Sequence, residues 1–194
     1  MGERLRHQVR PRQRRARLRR STRAPMVEWA MDETRFHLEL RGQLRPAQLP
    51  ASFAAKRVEL ARQAGPDPAL SRRLYESVGR PWRWVDRLAW TDDQWREYLG
   101  QDGTELWVLR VDGEPAGYFE LAKAGDGSVE IVYFGLVPAF IGQGLGGYLL
   151  TQAVRRAQSA GATLVRLHTC TRDHPHALDN YQARGFVVVR TEPL

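Results

Sequence analysis

The sequence predicts an α+β domain: a mixed, mostly antiparallel central sheet flanked by helices. Three observations point there. Strand-like alternation runs through 104–111, 114–123 and 128–137, with Asp112-Gly113 set between the first two as a hairpin turn. Leu145, Leu149, Ala153, Ala157 and Ala160 then recur at helical spacing. An apolar strand pattern, 163–170, follows that helix. At 194 residues, with six each of Trp, Tyr and Phe, the chain can bury one sizeable core.

Taken in order, 34–41 (TRFHLELR) alternates as a first strand. Residues 42–68 are Pro- and Ala-rich and admit a short helix over 51–63, ASFAAKRVELARQ. The pattern predicts a helix over 68–79, stopped by Gly79 with Pro81 behind it, and then an aromatic-dense connector, 81–90. Thr91 and Gln94 stand at capping-box spacing with Asp92 and Asp93 in the first turn, so a helix runs over 92–99. The meander 104–137 leads into FIGQGLGGYLL (140–150), which opens a helix reaching Ala160 and closed by Gly161. After the strand 163–170 come a short helix at 175–184, stopped by Gly185, and a last strand, 186–190.

The net charge of +8 is concentrated at one end. Residues 1–23 hold ten Arg and one acid, Glu3, whereas the remainder carries 20 basic and 21 acidic residues. Residues 1–25 read as a disordered Arg-rich tail, ahead of a single domain over 30–194. The tail has no apolar segment, so it is not a secretory signal, and it lacks the aromatic interleaving of a single-strand stacking surface. It suits a non-specific nucleic-acid arm over 1–23. The weightier reading, given 28 Arg against 2 Lys, is a start-site artefact with Met26 or Met31 as the true start. No apolar run approaches the length of a membrane span, so no membrane partner is expected. A lone cysteine, Cys170, rules out an internal disulfide and fits a reducing cytoplasm.

Gly142, Gly144, Gly146 and Gly147 crowd one helix start, although each interior glycine costs a helix about 1 kcal/mol relative to alanine. Gly142-x-Gly144-x-x-Gly147 has the spacing of a dinucleotide fingerprint. It begins four residues beyond its strand, however, and the next strand ends without an acid. A phosphate loop would need Lys-Ser/Thr where Tyr148-Leu149 stands. A turn with tight packing needs two glycines. The surplus is explained by an anionic ligand lying against the unpaired N–H groups and positive end of the helix.

On these residues the segment VEIVYFGLVPAFIGQGLGGYLL resembles the acetyl-CoA-binding segment of the GCN5-related N-acetyltransferases (GNAT). There a strand leads to Gln/Arg-x-x-Gly-x-Gly/Ala at a helix start. Gly144 and Gly146 match the small positions and Gly147 follows, while Ile141 departs from the usual Gln or Arg. HPHALDNYQARGF resembles a second block of the family, Asn-x-x-Ala-x-x-Leu-Tyr-x-x-x-Gly-Phe, through Ala177, Tyr181, Gly185 and Phe186. His174 and Asn180 stand in place of its Asn and Leu. The resemblance spans about 104–190, and only eight residues follow Phe186, too few for the family's usual final strand.

The resemblance implies a GNAT-like fold and direct acetyl transfer from acetyl-CoA, a co-substrate, to a primary amine on a small molecule or peptide. Glu130 matches the catalytic base. Desolvation amid apolar neighbours would raise its basicity, and alternation would set it on one face with Val132, Phe134 and Leu136. Tyr181 matches the general acid. The main chain of Leu136 and Val137 would hold the pantetheine arm and polarise the thioester carbonyl. Gly142, Gln143, Gly144, Gly146 and Gly147 would cradle the pyrophosphate, with His174 and Asn180 also touching the cofactor. His168 is the outside candidate for base if Glu130 points away. His168, Cys170, His174 and His176 are too local for a metal site, so none is expected. Trp82, Trp84, Trp90, Trp95 and Tyr98 read as a packed cap over the sheet. The capping box accounts for Asp92 and Asp93 without an amine-binding role shared with Asp86. A catalytically silent acyl-CoA-binding module and a basic-tailed nucleic-acid-associated protein stay open as alternatives, and a homodimer is compatible with either.

Overall fold

Alternation becomes strand wherever the sequence shows it, and one strand forms where the sequence hides it. The computed structural model describes residues 33–194; the Arg-rich stretch 1–25 lies outside the described residues. Seven strands and four helices follow one another as β1 (Thr34–Leu40), β2 (Val58–Arg62), α1 (Pro68–Gly79), α2 (Asp92–Leu99), β3 (Thr104–Val111), β4 (Glu114–Lys123), β5 (Ser128–Leu136), α3 (Leu145–Ser159), β6 (Leu164–Cys170), α4 (Ala177–Ala183) and β7 (Phe186–Pro193). They make a single sheet in the order β2-β3-β4-β5-β6-β1-β7, antiparallel throughout except between β5 and β6.

Local chemistry sets the ends of these elements. Asp112 (φ 52°) and Gly113 (φ 89°) both take left-handed conformations, the geometry of a type I′ hairpin turn between β3 and β4. The Thr91–Gln94 capping box closes in both directions at the start of α2. Asp67 accepts from the Leu70 N–H, and Pro68 opens α1 where a missing N–H costs nothing.

The helix expected over 51–63 does not form. A three-residue 3-10 turn, Ala51–Phe53, is followed by β2, which runs along the outer edge of β3. Ala, Glu and Arg favour a helix locally. Val58 and Leu60, however, lie two apart and pack against the core when the segment is extended, so tertiary packing overrides propensity. At the opposite end of the sheet the strands are not in chain order. β1 enters between β6 and β7 and bonds to both.

The two faces of the sheet are covered differently. Leu145, Leu149, Ala153 and Ala157 of α3 bury against Leu121, Ile131, Leu167 and Leu38. Each Leu so buried contributes about 1.5–3 kcal/mol. On the other face α1 lays Leu70, Leu74 and Val78 over Leu106, Val108 and Tyr118. β5 carries a bulge: Glu120 pairs with Tyr133 and Leu121 with Ile131, leaving Val132 without a partner. Glu130 therefore shares its face with Tyr133 and Glu120, and the expected grouping with Phe134 and Leu136 is overturned by that one extra residue.

Candidate active site

The parallel pairing of β5 with β6 stops at Ile131 and Leu167, yet β5 runs on to Leu136 and β6 to Cys170. The two strands part and leave a wedge. Val137 donates its N–H to Ala116 (2.9 Å) and its carbonyl accepts from Phe140 (2.9 Å), so its main chain is committed to β4 and the following turn. Adjacent residues of a strand point their amides to opposite edges. The Leu136 N–H accordingly faces the wedge.

The helix start of α3 stands at the mouth of that wedge, and its glycines have separable reasons. Gly142 (φ 78°) and Gly144 (φ 83°) hold left-handed backbone, and Gly144 caps the helix with no side chain. A methyl on Gly147 would crowd Ala47 Cβ at 3.2 Å and would have to move the end of the Arg184 side chain, so packing gives a reason for this glycine. Gly146 has neither excuse. Its φ is ordinary for a helix, and a methyl there would meet only Asn180 and Leu136, at 3.8 and 3.9 Å. The fold does not require Gly146. No acid stands in that turn to satisfy its N–H groups.

Glu130 lines a second concavity with His37, Arg166, His168 and Arg190. His168 Nδ1 lies 3.3 Å from its Oε1, and Arg166 Nε 3.5 Å from its Oε2. The hydrogen bond to His168, helped by the Arg166 charge, holds the Glu130 carboxyl below the usual carboxylate range and outweighs partial burial. The expected rise in basicity is thus reversed, because the neighbours on this face are cations and not apolar side chains. His37 faces His168 across the β1–β6 pair, ring centres 6.2 Å apart, and is itself 2.9 Å from Glu192.

Tyr181 sits on α4, buried, its ring against Phe134 and Phe186. Burial, with the charge of Asp173, pushes its phenol well above the ordinary tyrosine value, so it stays protonated. Asn180 flanks Gly146 and Gly147. Gln143 turns back to donate to the Ala139 carbonyl (2.7 Å). His174 stacks edge-on with Trp82 at 5.1 Å, and Trp84 Nε1 donates to Asp173 (3.3 Å), so the aromatic connector reaches the loop that follows β6. Among the described residues no group of three or more His, Cys, Asp and Glu is arranged to hold a metal ion.

The rest of that connector holds the protein's own cation. Arg87 pairs with Glu120 at 2.8 Å, both buried, and Tyr98 donates to the same carboxylate (2.9 Å). The guanidinium lies 3.9, 4.3 and 4.5 Å from the ring centres of Tyr98, Tyr133 and Trp90. Burial pushes the Glu120 carboxyl up against the opposing pull of Arg87. Neither residue was singled out from sequence. The signal was a glutamate on the same strand row as the apolar Tyr118 and Ala122.

A model described as the acetyltransferase (GNAT) family matches residues 71–186. The chain belongs to that family. Both resembling blocks fall within the matched span. No curated protein matches the GNAT chain. Among solved structures, a GCN5-related N-acetyltransferase from Kribbella flavida is similar at TM-score 0.56 and 20% identity, over 81% of this chain and 55% of that one. Another, from Sphaerobacter thermophilus, gives TM-score 0.57 and 16% identity, over 82% and 49%. An aminoglycoside acetyltransferase from an uncultured soil sample, solved with sisomicin, gives TM-score 0.56 and 15% identity, over 66% and 86%. These likenesses speak for the fold. The chain spans only about half of the first two relatives.

Proposed function

We propose that the protein is an N-acetyltransferase that moves an acetyl group directly from acetyl-CoA to a primary amine. The observation that carries this is Gly146, a glycine the fold does not need, at a helix start beside the open Leu136 N–H. Both fit a ligand with a diphosphate and an amide-rich arm. Gly142, Gly144 and Gly146 leave the first turn bare for phosphate, with Asn180 alongside. Bound acetyl-CoA supplies an activated acyl thioester. The Leu136 N–H donates to its carbonyl oxygen, a contact worth about 3 kcal/mol where negative charge develops.

An amine titrating near ~10.4 arrives protonated and must be relieved of its proton before it attacks. Glu130, half-open beside His168, takes that proton through water and returns it to solvent. Tyr181, held protonated, gives its proton to the departing thiolate. The similar soil enzyme, solved with sisomicin, supports a small-molecule amine as the acceptor class.

The test is calorimetric binding of CoA to wild type, Gly146→Ala and Gly146→Leu, followed by thiol release over an amine panel. Wild type should bind, Gly146→Ala should bind more weakly, and Gly146→Leu should fold and fail to bind. Equal affinity in all three would remove the cradle. Binding without thiol release would leave a silent acyl-CoA-binding module.

A further inference from the structure

A cleft of about 1150 Å³, distinct from the one holding Glu130, is lined by α1, the connector after it, the β3–β4 turn and Val137. Its walls carry four arginines, Arg73, Arg80, Arg83 and Arg110, against two carboxylates, Glu76 and Glu114. The described residues as a whole hold 20 basic and 19 acidic side chains, so this surplus is local. Other arginines of the domain are spent on acids: Arg57, Arg62, Arg72, Arg87, Arg96 and Arg166 all sit in ion pairs. Arg73 and Arg80 sit in none among the described residues, and neither do the two carboxylates beside them.

The placement of these groups is specific. Leu70, Arg73, Leu74 and Ser77 form one stripe of α1, and Arg80 follows on the same side, which spaces the Arg73 and Arg80 Cα atoms about 10 Å along the helix. Arg83 reaches the cleft from a left-handed backbone (φ 60°), a conformation that costs a non-glycine residue about 1–2 kcal/mol. Val85 and Leu88 line the same cleft and stay 62% and 52% exposed, an apolar wall beside the charges. Val137, which also lines the cleft, adjoins Leu136, the residue whose N–H faces the wedge.

We infer that this cleft receives the body of the acceptor, and that the acceptor carries an anionic group, a carboxylate or a phosphate, at some distance from its amine. The inference rests on the acetyl-transfer reading for the word acceptor, though not for the anion. Guanidiniums without partners gain most from a ligand that brings the missing charge, and Arg binds carboxylate and phosphate in bidentate fashion. A polycationic amine meets four like charges there and is disfavoured.

Matched acceptors test it: benzylamine against 4-(aminomethyl)benzoate, ethanolamine against phosphoethanolamine, and an aminoglycoside as the polycation. The acidic member of at least one pair should show a KM lower by about tenfold or more, and the pair that responds tells carboxylate from phosphate. Arg73→Glu with Arg80→Glu, both exposed sites, should collapse that ratio, while Arg155→Glu on α3 should keep it. Neutral or polycationic amines used as well as acidic ones, or a ratio that survives the double charge reversal, would overturn the inference. A readout without turnover runs alongside. Benzoate and phosphate titrated into the wild-type protein should shift the Arg73 and Arg80 Nε–H resonances and leave that of Arg155 unmoved. Absence of those shifts refutes the anion site. Their presence in a protein that releases no thiol with any amine refutes the transferase reading instead.

Discussion

Glu120 and Glu130 stand on the same face of neighbouring strands, and the sheet treats them oppositely. Glu120 is fully buried, bonded to Arg87 and Tyr98, and walled by aromatic rings. The Glu130 side chain keeps 30% of its surface, at the place where the sheet splits, and touches only a half-open arginine and histidine. Burial drives one carboxyl up, and cationic neighbours draw the other down. A carboxylate sealed with its counter-charge fixes the cap on the sheet. A carboxylate left at the rim, beside an exposed histidine, can exchange protons.

The comparison breaks most sharply at the buried pair. Arg87→Ala strands a charge in the core and should lower unfolding free energy by about 3–5 kcal/mol in a denaturant titration. A loss no larger than that of an exposed arginine would show that the pair is not sealed. Next comes Glu130→Gln, which should slow turnover by about 10²–10³-fold while CoA affinity and melting temperature hold. A wild-type rate would make Glu130 a structural residue like its neighbour. Tyr181→Phe should slow the chemical step by about 10²-fold at most, measured by single turnover.

The smallest effect is in pH. Because Glu130 lies below its ordinary value, its contribution is complete above about pH 4.3 and is lost only as pH falls through the lower folded value. Any acid limb in kcat/KM above that range should therefore survive in Glu130→Gln. Its disappearance would mean that Glu130 titrates higher, and the contrast with Glu120 would vanish.

How much of this was legible beforehand follows from range. Elements set by near neighbours read out well: the Asp112-Gly113 turn, the Thr91–Gln94 box and the glycine-rich start of α3 carry their signal within a few residues. The family could be named through resemblance, since two spaced blocks carry it. β2 could not, because its Ala, Glu and Arg speak for a helix and only the bare edge of β3 makes it a strand. The environment of Glu130 was hidden for the same reason. Arg166 and His168 reach it across a strand pair, and the Val132 bulge decides which face it uses. The Arg87–Glu120 pair joins a connector to a strand, and alternation alone marks only one of its members.

The position of β1 also governs how the chain is completed. Arg35 pairs with Cys170 on one side and Glu192 on the other, so β1 has no neighbour until β6 and β7 have been made. During synthesis it waits as an unpaired ribbon. The interior slot it fills closes only after every other strand of this sheet has been made, which makes its closure a slow, long-range step.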